Sequence, residues 1–400
     1  MTRGRLKKKM TPGRVRITLH ELSNGGSMGK HWLVRLWVIF TALCLNHVYA
    51  AESSFNWRGF ITAGYSQTLA NNTYLSYIGK DPNFLYDSKL GIAFSSNLSE
   101  NLEASAQFVA QGSSQTFSPD VDWAYLSYRP NDSIMLRAGR LRFPMWLIAD
   151  YYNVGYSYIW ARPPPEVYSQ NILSSFFGVL GSYSYALPTG TLSLAMYGGS
   201  SPLDLPFQSN FNGQISPSSL TGSFDRLLGA TLSYENLSLL VRVNYARTYL
   251  QSSLNVQGDV LPGSSYGAYT LFQESFLRLP LAGNYQFWSM GISAKPFKFL
   301  RIISEYFGAE LDNTPVSNNA YLTAGVPIGI FEPHFTVATS GSTAGTGYNR
   351  YALGLNTSVA SNALLKVQWE GIDVKTGAGP LLSNPTGLVQ VVSANINAVF

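Results

Sequence analysis

The sequence predicts an all-β fold, a transmembrane, antiparallel, up-and-down β-barrel of 14–16 strands with short periplasmic turns and long external loops. Three observations lead there. Beyond residue 50, apolar residues recur with period two, as in strands with one apolar and one polar face. The connections alternate between very short and long. And the chain is 14% aromatic but only 12% charged, about half the charge of an ordinary soluble domain. No later segment has the roughly eighteen consecutive apolar residues of a spanning helix. Backbone that crosses lipid must bond internally, and strands achieve this only in a closed sheet.

The front of the chain stands apart. Its first fifty residues hold nine of the 27 basic residues and one of the 22 acids, Glu21, which leaves 18 bases against 21 acids over 51–400. The positive surplus therefore belongs to the front, and no nucleic-acid partner is expected. Residues 28–50, MGKHWLVRLWVIFTALCLNHVYA, read as a signal peptide. Lys30 and Arg35 form a basic region, Leu36 to Leu45 an apolar core, and Val48-Tyr49-Ala50 a small-x-small cleavage site. The alternative, a membrane anchor, needs about twenty apolar residues. Residues 1–27 fit no part of such a signal and read as an over-extended N-terminus, with Met28 the true start; the alternative is a long n-region. The one cysteine, Cys44, lies inside the signal, behind Leu43 where a lipoprotein signal wants a small residue. The domain at 51–400 thus has neither disulfide nor thiolate chemistry.

Within that domain the strands follow in order. FNWRGFITAGYSQ (55–67) opens the series. LEASAQFVAQ sets Leu102, Ala104, Ala106 and Phe108 against Glu103, Ser105 and Gln107. LSLLVRVNYAR sets Leu239, Val241, Val243 and Tyr245 against Arg242, Asn244 and Ala246. RYALGLNTSV sets Tyr351, Leu353 and Leu355 against Arg350, Asn356 and Ser358, and LLKVQWEG sets Leu365, Val367 and Trp369 against Lys366, Gln368 and Glu370. Short turns are expected at 97–101, 129–132, 187–190, 235–237, 295–298 and 360–363. Long loops are expected near 69–84, 112–120, 144–173, 199–224, 250–282, 309–348 and 374–387. Six short turns join twelve strands, and the opening strand with a closing one at 388–400 makes fourteen. Two more would have to lie inside 250–282 or 309–348, where 267–279 and 329–339 are candidates. A soluble sandwich also has alternating strands, but not strands of nine to eleven residues with tight turns at one rim and long loops at the other.

The closing strand ends VVSANINAVF, with Phe400 at the end of the stripe Ala398, Ile396, Ala394 and Val392. An aromatic at the end of a lipid-facing stripe suits the membrane interface. This strand resembles the terminal strand of Gram-negative outer-membrane proteins, which implies that the barrel-assembly machinery recognises Phe400.

Charge inside a barrel belongs on the lumen side, because Arg at the bilayer midplane costs about 2–4 kcal/mol. Arg137, Arg140 and Arg142 crowd one strand, and strict alternation sets Arg137 opposite the other two. A bulge at Gly139 would bring all three to the lumen; otherwise Arg142 sits at the rim. The segment that follows is about thirty residues long, and loops of that length are usually functional. It is aromatic, stiffened by Pro163-Pro164-Pro165, and carries only Asp150, Arg162 and Glu166 as charges. Such a loop suits a constriction facing a basic wall; an external lid or a subunit contact is the alternative. The other lumen candidates are Arg58, Glu103, Arg242, Arg301, Glu305, Lys366 and Glu370, each expected to pair with a cross-strand neighbour.

LRAGRLRFPMWLIADYYNVGYSYIWARPPPEVYSQ (136–170) also resembles the segment of Gram-negative porins in which a strand carrying a Gly-Arg pair runs into the third external loop, and WRGFITAGY (57–65) resembles their first strand. The resemblance implies a usually sixteen-stranded, trimeric barrel whose loop, here 144–172, folds inward and narrows the pore. The expected function is a passive diffusion channel for small hydrophilic solutes, leaning towards anions through Arg137, Arg140 and Arg142. The tyrosines of 151–168 suit instead a specific channel for sugars or other flat solutes, and a plugged structural or adhesive barrel is the third reading. No enzyme is expected: His334, in EPHFT, is the only histidine after residue 50 and has no nucleophile motif beside it. No cofactor or metal is implied. The expected partners are outer-membrane lipid, the assembly machinery, small solutes and two further copies of the chain.

Overall fold

The computed structural model describes residues 55–400, except 72, 76–77, 113–116, 169–172, 212–213, 258–275, 342–346, 377–381 and 384–387. The expected leader at 1–27 and signal peptide at 28–50 lie outside the described residues. Sixteen strands close into one antiparallel barrel. They are β1 Phe55–Thr68, β2 Lys89–Asn97, β3 Leu102–Gly112, β4 Phe117–Asn131, β5 Ile134–Arg142, β6 Ser175–Leu187, β7 Gly190–Phe211 and β8 Gln214–Glu235. The series continues with β9 Leu239–Gln257, β10 Phe276–Phe297, β11 Leu300–Leu311, β12 Thr314–Gly325, β13 Phe331–Gly341, β14 Gly347–Ala360, β15 Ala363–Thr376 and β16 Leu388–Val399. Each pairs with its neighbours in sequence, and β1 closes against β16 from Phe60↔Val399 to Thr68↔Val391. Phe400 completes this seam: its N–H donates to the Gly59 carbonyl (2.9 Å) and its carbonyl accepts from the Gly59 N–H (2.7 Å). Its ring stands edge-on to Trp57 at 6.1 Å.

The alternation works as the residue types require. On β9, Val243 and Tyr245 point outward while Asn244 and Ala246 are buried inside, and on β14 Tyr351, Leu353 and Leu355 are exposed while Arg350 and Ala352 are buried. All six expected short turns lie between strands, at one rim. The fourteen clear strands become sixteen because β12 and β13 occupy the stretch expected to be a loop at 309–348. Their short turn is 326–330. At the opposite rim β11 reaches β12 through Asp312 and Asn313 alone, at φ of 48° and 62°. Two successive left-handed residues make the two-residue hairpin turn whose twist matches the flanking strands, so no long loop is needed there. The expected loop at 199–224 is instead a paired ribbon, since β7 and β8 stay in register from Thr191↔Glu235 to Phe211↔Gln214 with one slip. Of the candidate strand at 267–279, residues 267–275 lie outside the described residues and 276–279 begin β10.

Two segments enter the barrel from the long-loop rim. Tyr74, Leu75 and Ile78 pack on Tyr348, Ile372, Val389 and Val391, inside β14–β16. The larger insertion, between β5 and β6, forms the main apolar core.

Candidate functional site

After Arg142 the chain turns into the lumen. Phe143, Met145, Trp146, Leu147 and Ile148 are each at most 3% exposed. They meet an inner wall that is apolar rather than polar: Phe176, Tyr197, Phe224, Phe287, Phe307 and Tyr321. Phe143 stands edge-on to Phe176, Tyr197 and Phe287 at 5.3–6.3 Å. The path then runs through single 3₁₀ turns at Ala149–Tyr151 and Gly155–Ser157 to a short helix, α1 Pro165–Tyr168. Gly155 lies so near the β16 wall that a Cβ would sit 2.0 Å from Asn397 Oδ1. The Tyr156 hydroxyl donates to the Ser361 carbonyl (2.9 Å) in the short turn between β14 and β15. The loop therefore reaches the short-turn rim and is not confined to mid-height.

A segment with so little secondary structure leaves its backbone polar groups without partners, and buried ones must find them. The wall supplies them. Arg242 donates to the Trp146 carbonyl (2.6 Å), and Glu305 accepts the Leu147 N–H (2.5 Å) and the Tyr321 hydroxyl (3.2 Å). Lys366, fully buried, donates to the carbonyls of Gly155 (2.6 Å), Trp160 (3.0 Å) and Tyr158. Asn356 and Asn395 hold the carbonyls of Ile159 and Ala161, and Gln368 accepts the Ala161 N–H. Trp160 donates Nε1 to Thr323 (2.9 Å) and Thr336 (3.2 Å).

The loop's own charges are spent in the same way. Glu166 receives both arms of Arg350 (2.8 and 3.0 Å), and Arg350 also reaches Glu370 (3.3 Å). Arg162 binds Asp87 (2.5 and 3.0 Å), Glu370 (3.0 Å) and Ser393 (3.1 Å). Burial opposes the charge of Arg162, but Asp87 and Glu370 outweigh it and hold its pKa above the ordinary arginine value. Asp150 lies 3.8 Å from Arg242. So Glu166, Arg242, Glu305, Lys366 and Glu370 face inward and fasten the loop, while Arg162 both fastens it and lines the space the loop leaves open. Among the described residues the loop carboxylates Asp150 and Glu166 pair with Arg242 and Arg350, and not with the arginines at 137–142.

Those arginines have other partners. Arg140 pairs with Asp120 (2.8 Å), and Arg142 with Asp122, which also accepts from Gln107 (2.6 Å). Gly139 has φ +140° and sits 2.4 Å, at its would-be Cβ, from the Ala124 carbonyl. The β4–β5 ladder nevertheless runs through it without a slip. The bulge expected at Gly139 lies instead on β4, where Asp122 is the extra residue between Trp123↔Gln107 and Val121↔Phe108. Arg137 lies with its guanidinium 4.7 Å from the Tyr125 ring. Of the remaining candidates, Arg301 pairs with Glu332 (3.1 Å), Glu103 with Arg129 (3.4 Å), and Arg58 is exposed on the inner side of β1 near the short-turn rim.

What the loop leaves open is a cavity of ≈520 Å³ against β1–β5. Asp87, Lys89, Asp120, Asp122, Arg140 and Arg142 line it on the wall side, and Tyr152, Asn153, Arg162 and Pro163 on the loop side. Each arginine is matched by a carboxylate. Lys89 has none among the described residues: its Nζ lies 4.7 Å from the Tyr152 ring and 3.4 Å from Asn153 Oδ1. Asp87, Lys89, Asp122 and Arg350 were not among the candidates. Arg350 stands on the polar side of its strand's alternation, which marks it as inward. Nothing local marks it as the partner of Glu166, 184 residues away.

No protein-family model and no curated protein matches this sequence. Solved structures do. OmpT, an outer membrane protein of Vibrio cholerae, superposes with a TM-score of 0.56 at 10% identity, over 88% of this chain and 99% of that one. OmpF of Salmonella typhi, in a complex with daunomycin, gives 0.52 at 13% identity over 87% and 98%. The outer membrane channel DcaP of Acinetobacter baumannii gives 0.51 at 12% identity over 88% and 99%. One form of the Vibrio protein is described as a trimer. At such identities the likeness is one of fold. The chain is a closed sixteen-stranded barrel of the architecture shared by outer-membrane porins and channels.

Proposed function

We propose that this protein is a porin: a passive diffusion channel of the Gram-negative outer membrane for small hydrophilic solutes. The observation that carries the reading is the division of the lumen. A loop fastened to one side of the wall leaves a charged cavity on the other, which is how a wide barrel becomes a narrow, selective passage. Lys89 carries the anion preference in this reading, because Asp120 and Asp122 neutralise Arg140 and Arg142. Residues 28–50 direct export, Phe400 is read by the assembly machinery, and the barrel forms a homotrimer. A sugar-stacking track is less favoured: Tyr152, Tyr158 and Tyr168 line the cavity, but Tyr158 and Tyr168 are at most 8% exposed. No enzymatic role is proposed for His334, which is 4% exposed.

The second reading is a plugged barrel, favoured by the depth of the loop. Single-channel conductance of the refolded 51–400 chain under a salt gradient decides between them. Steady open steps with a reversal potential on the anion side support the channel. A folded, heat-modifiable barrel without conductance is a plugged one.

A further inference from the structure

Two arginines stand on the lipid side of the wall. Arg247 shares the outward face of β9 with Val243, Tyr245 and Tyr249, while Asn244, Ala246 and Thr248 are buried inward. Arg226 lies beside it on β8. The β8–β9 ladder slips between Arg247 and Tyr249, and within the slip Arg226 takes a φ of +54°. A left-handed arginine is unusual, and here it accompanies an exposed side chain rather than a packed one. Both arginines line one outer-wall cavity of ≈500 Å³, with Tyr245, Tyr249, Asn284 and Asp312. Neither has an ion pair or a hydrogen bond among the described residues. The nearby acids are engaged: Asp312 Oδ1 accepts the Asn284 N–H (2.9 Å), and Asp225 accepts the Ser223 hydroxyl (3.0 Å).

Their height is telling. From Leu239, at the short turn, to Arg247 is eight residues along β9. At about 3.4 Å per residue and a tilt of about 40°, that is roughly 20 Å. An apolar band is about 25 Å tall, so the pair sits near its upper edge, at the rim opposite the short turns. Below it the face is apolar, with Val243, Leu232 and Met290 exposed. The tyrosines mark the interface.

We infer that Arg226 and Arg247 clamp the phosphate of a phosphorylated outer-leaflet lipid against the outer wall. Guanidinium forks match phosphate oxygens two by two, and the cavity lies where lipid headgroups begin. The inference rests on the outer-membrane reading but not on conduction.

The test is native mass spectrometry of the refolded 51–400 chain in detergent, titrated with diphosphoryl lipid A. The variants are Arg247→Gln alone and together with Arg226→Asn, since Asn accepts a left-handed φ. The expected result is about tenfold weaker lipid binding in the double variant, with intermediate loss in the single, at unchanged heat-modifiability and conductance. Equal binding by wild type and double variant overturns the inference. So does equal binding of the dephosphorylated lipid. Displacement of the lipid by inorganic phosphate at equal concentration makes this a free-anion site and also overturns it. A barrel that binds the lipid through these arginines without conducting keeps the inference and removes the channel; one that conducts with arginine-independent lipid binding does the reverse.

Discussion

The two sides of the barrel interior differ in chemistry. On β6–β12 the inward positions include Phe176, Tyr197, Phe224, Phe287, Phe307 and Tyr321. On β1–β5 they include Thr62, Lys89, Gln107, Asp122 and Arg140. A lumen face is ordinarily polar because it meets water. Where it is apolar, something dry must cover it, and here Phe143 to Ile148 do so. The β6–β12 side of the lumen is therefore a protein core, and the β1–β5 side faces a charged cavity of ≈520 Å³, which is the passage of the proposed channel. A residue on the first side governs whether the loop stays in place. In the proposed channel, a residue on the second governs what the passage admits.

The largest break in this contrast is expected from Glu166→Ala. It leaves Arg350 with Glu370 as its remaining carboxylate in a site with no solvent exposure. Removing one partner of a buried pair costs about 3–5 kcal/mol. Single-channel records should then show larger, noisier steps, and limited proteolysis should cut within 144–168. Steady wild-type currents would mean that this ion pair does not hold the loop. Trp160→Ala comes next. It removes a fully buried indole and its bonds to Thr323 and Thr336, a loss of about 3 kcal/mol or more. The expected readout is again loop release, with the gel-shift of the folded barrel kept.

On the passage side the effects are smaller and electrical. Lys89→Gln removes a cavity cation that has no carboxylate partner among the described residues. A unit charge about 4 Å from a passing ion is worth about 1 kcal/mol in water, roughly fivefold in permeability ratio. The reversal potential should move towards cation preference with step size nearly kept. Asp120→Asn should move it the other way and by less, because that carboxylate is 69% exposed and already shared with Arg140; exposed pairs contribute about 0–1 kcal/mol. If both variants leave the reversal potential unchanged, ions do not pass through this cavity.

Much of the wall could be read before any coordinates. The opening strand expected at 55–67 is Phe55–Thr68, and the six short turns fall between strands. The β7–β8 ribbon and β12 could not, whereas the candidate strand at 329–339 is β13 Phe331–Gly341. The expected loop at 199–224 contains Pro202, Pro206 and Pro217 among serines and glycines, so it reads as punctuation. Strand pairing above a lipid band needs no apolar stripe, and without the stripe periodicity is silent. Asp312-Asn313 is a turn only if both residues accept left-handed φ, and the residue types permit that without requiring it.

The site was legible to a different depth. Period two assigns each side chain to a face, because successive residues on a strand point opposite ways. The sequence alone therefore determined that Arg242, Glu305, Lys366 and Glu370 face the barrel interior, whereas for Arg162 and Glu166, on the loop, it left an inward constriction beside an external lid or a subunit contact. Only closure of the barrel decided what they do there. It brings Glu166 to Arg350 and Arg162 to Asp87 across gaps of 184 and 75 residues, and it sets Asp120 and Asp122 beside the arginines of β5 through a bulge on the neighbouring strand. Facing is a property of a residue and its neighbours in the chain. Partnership of charges depends on which distant segments share the space, and no local pattern carries that distance.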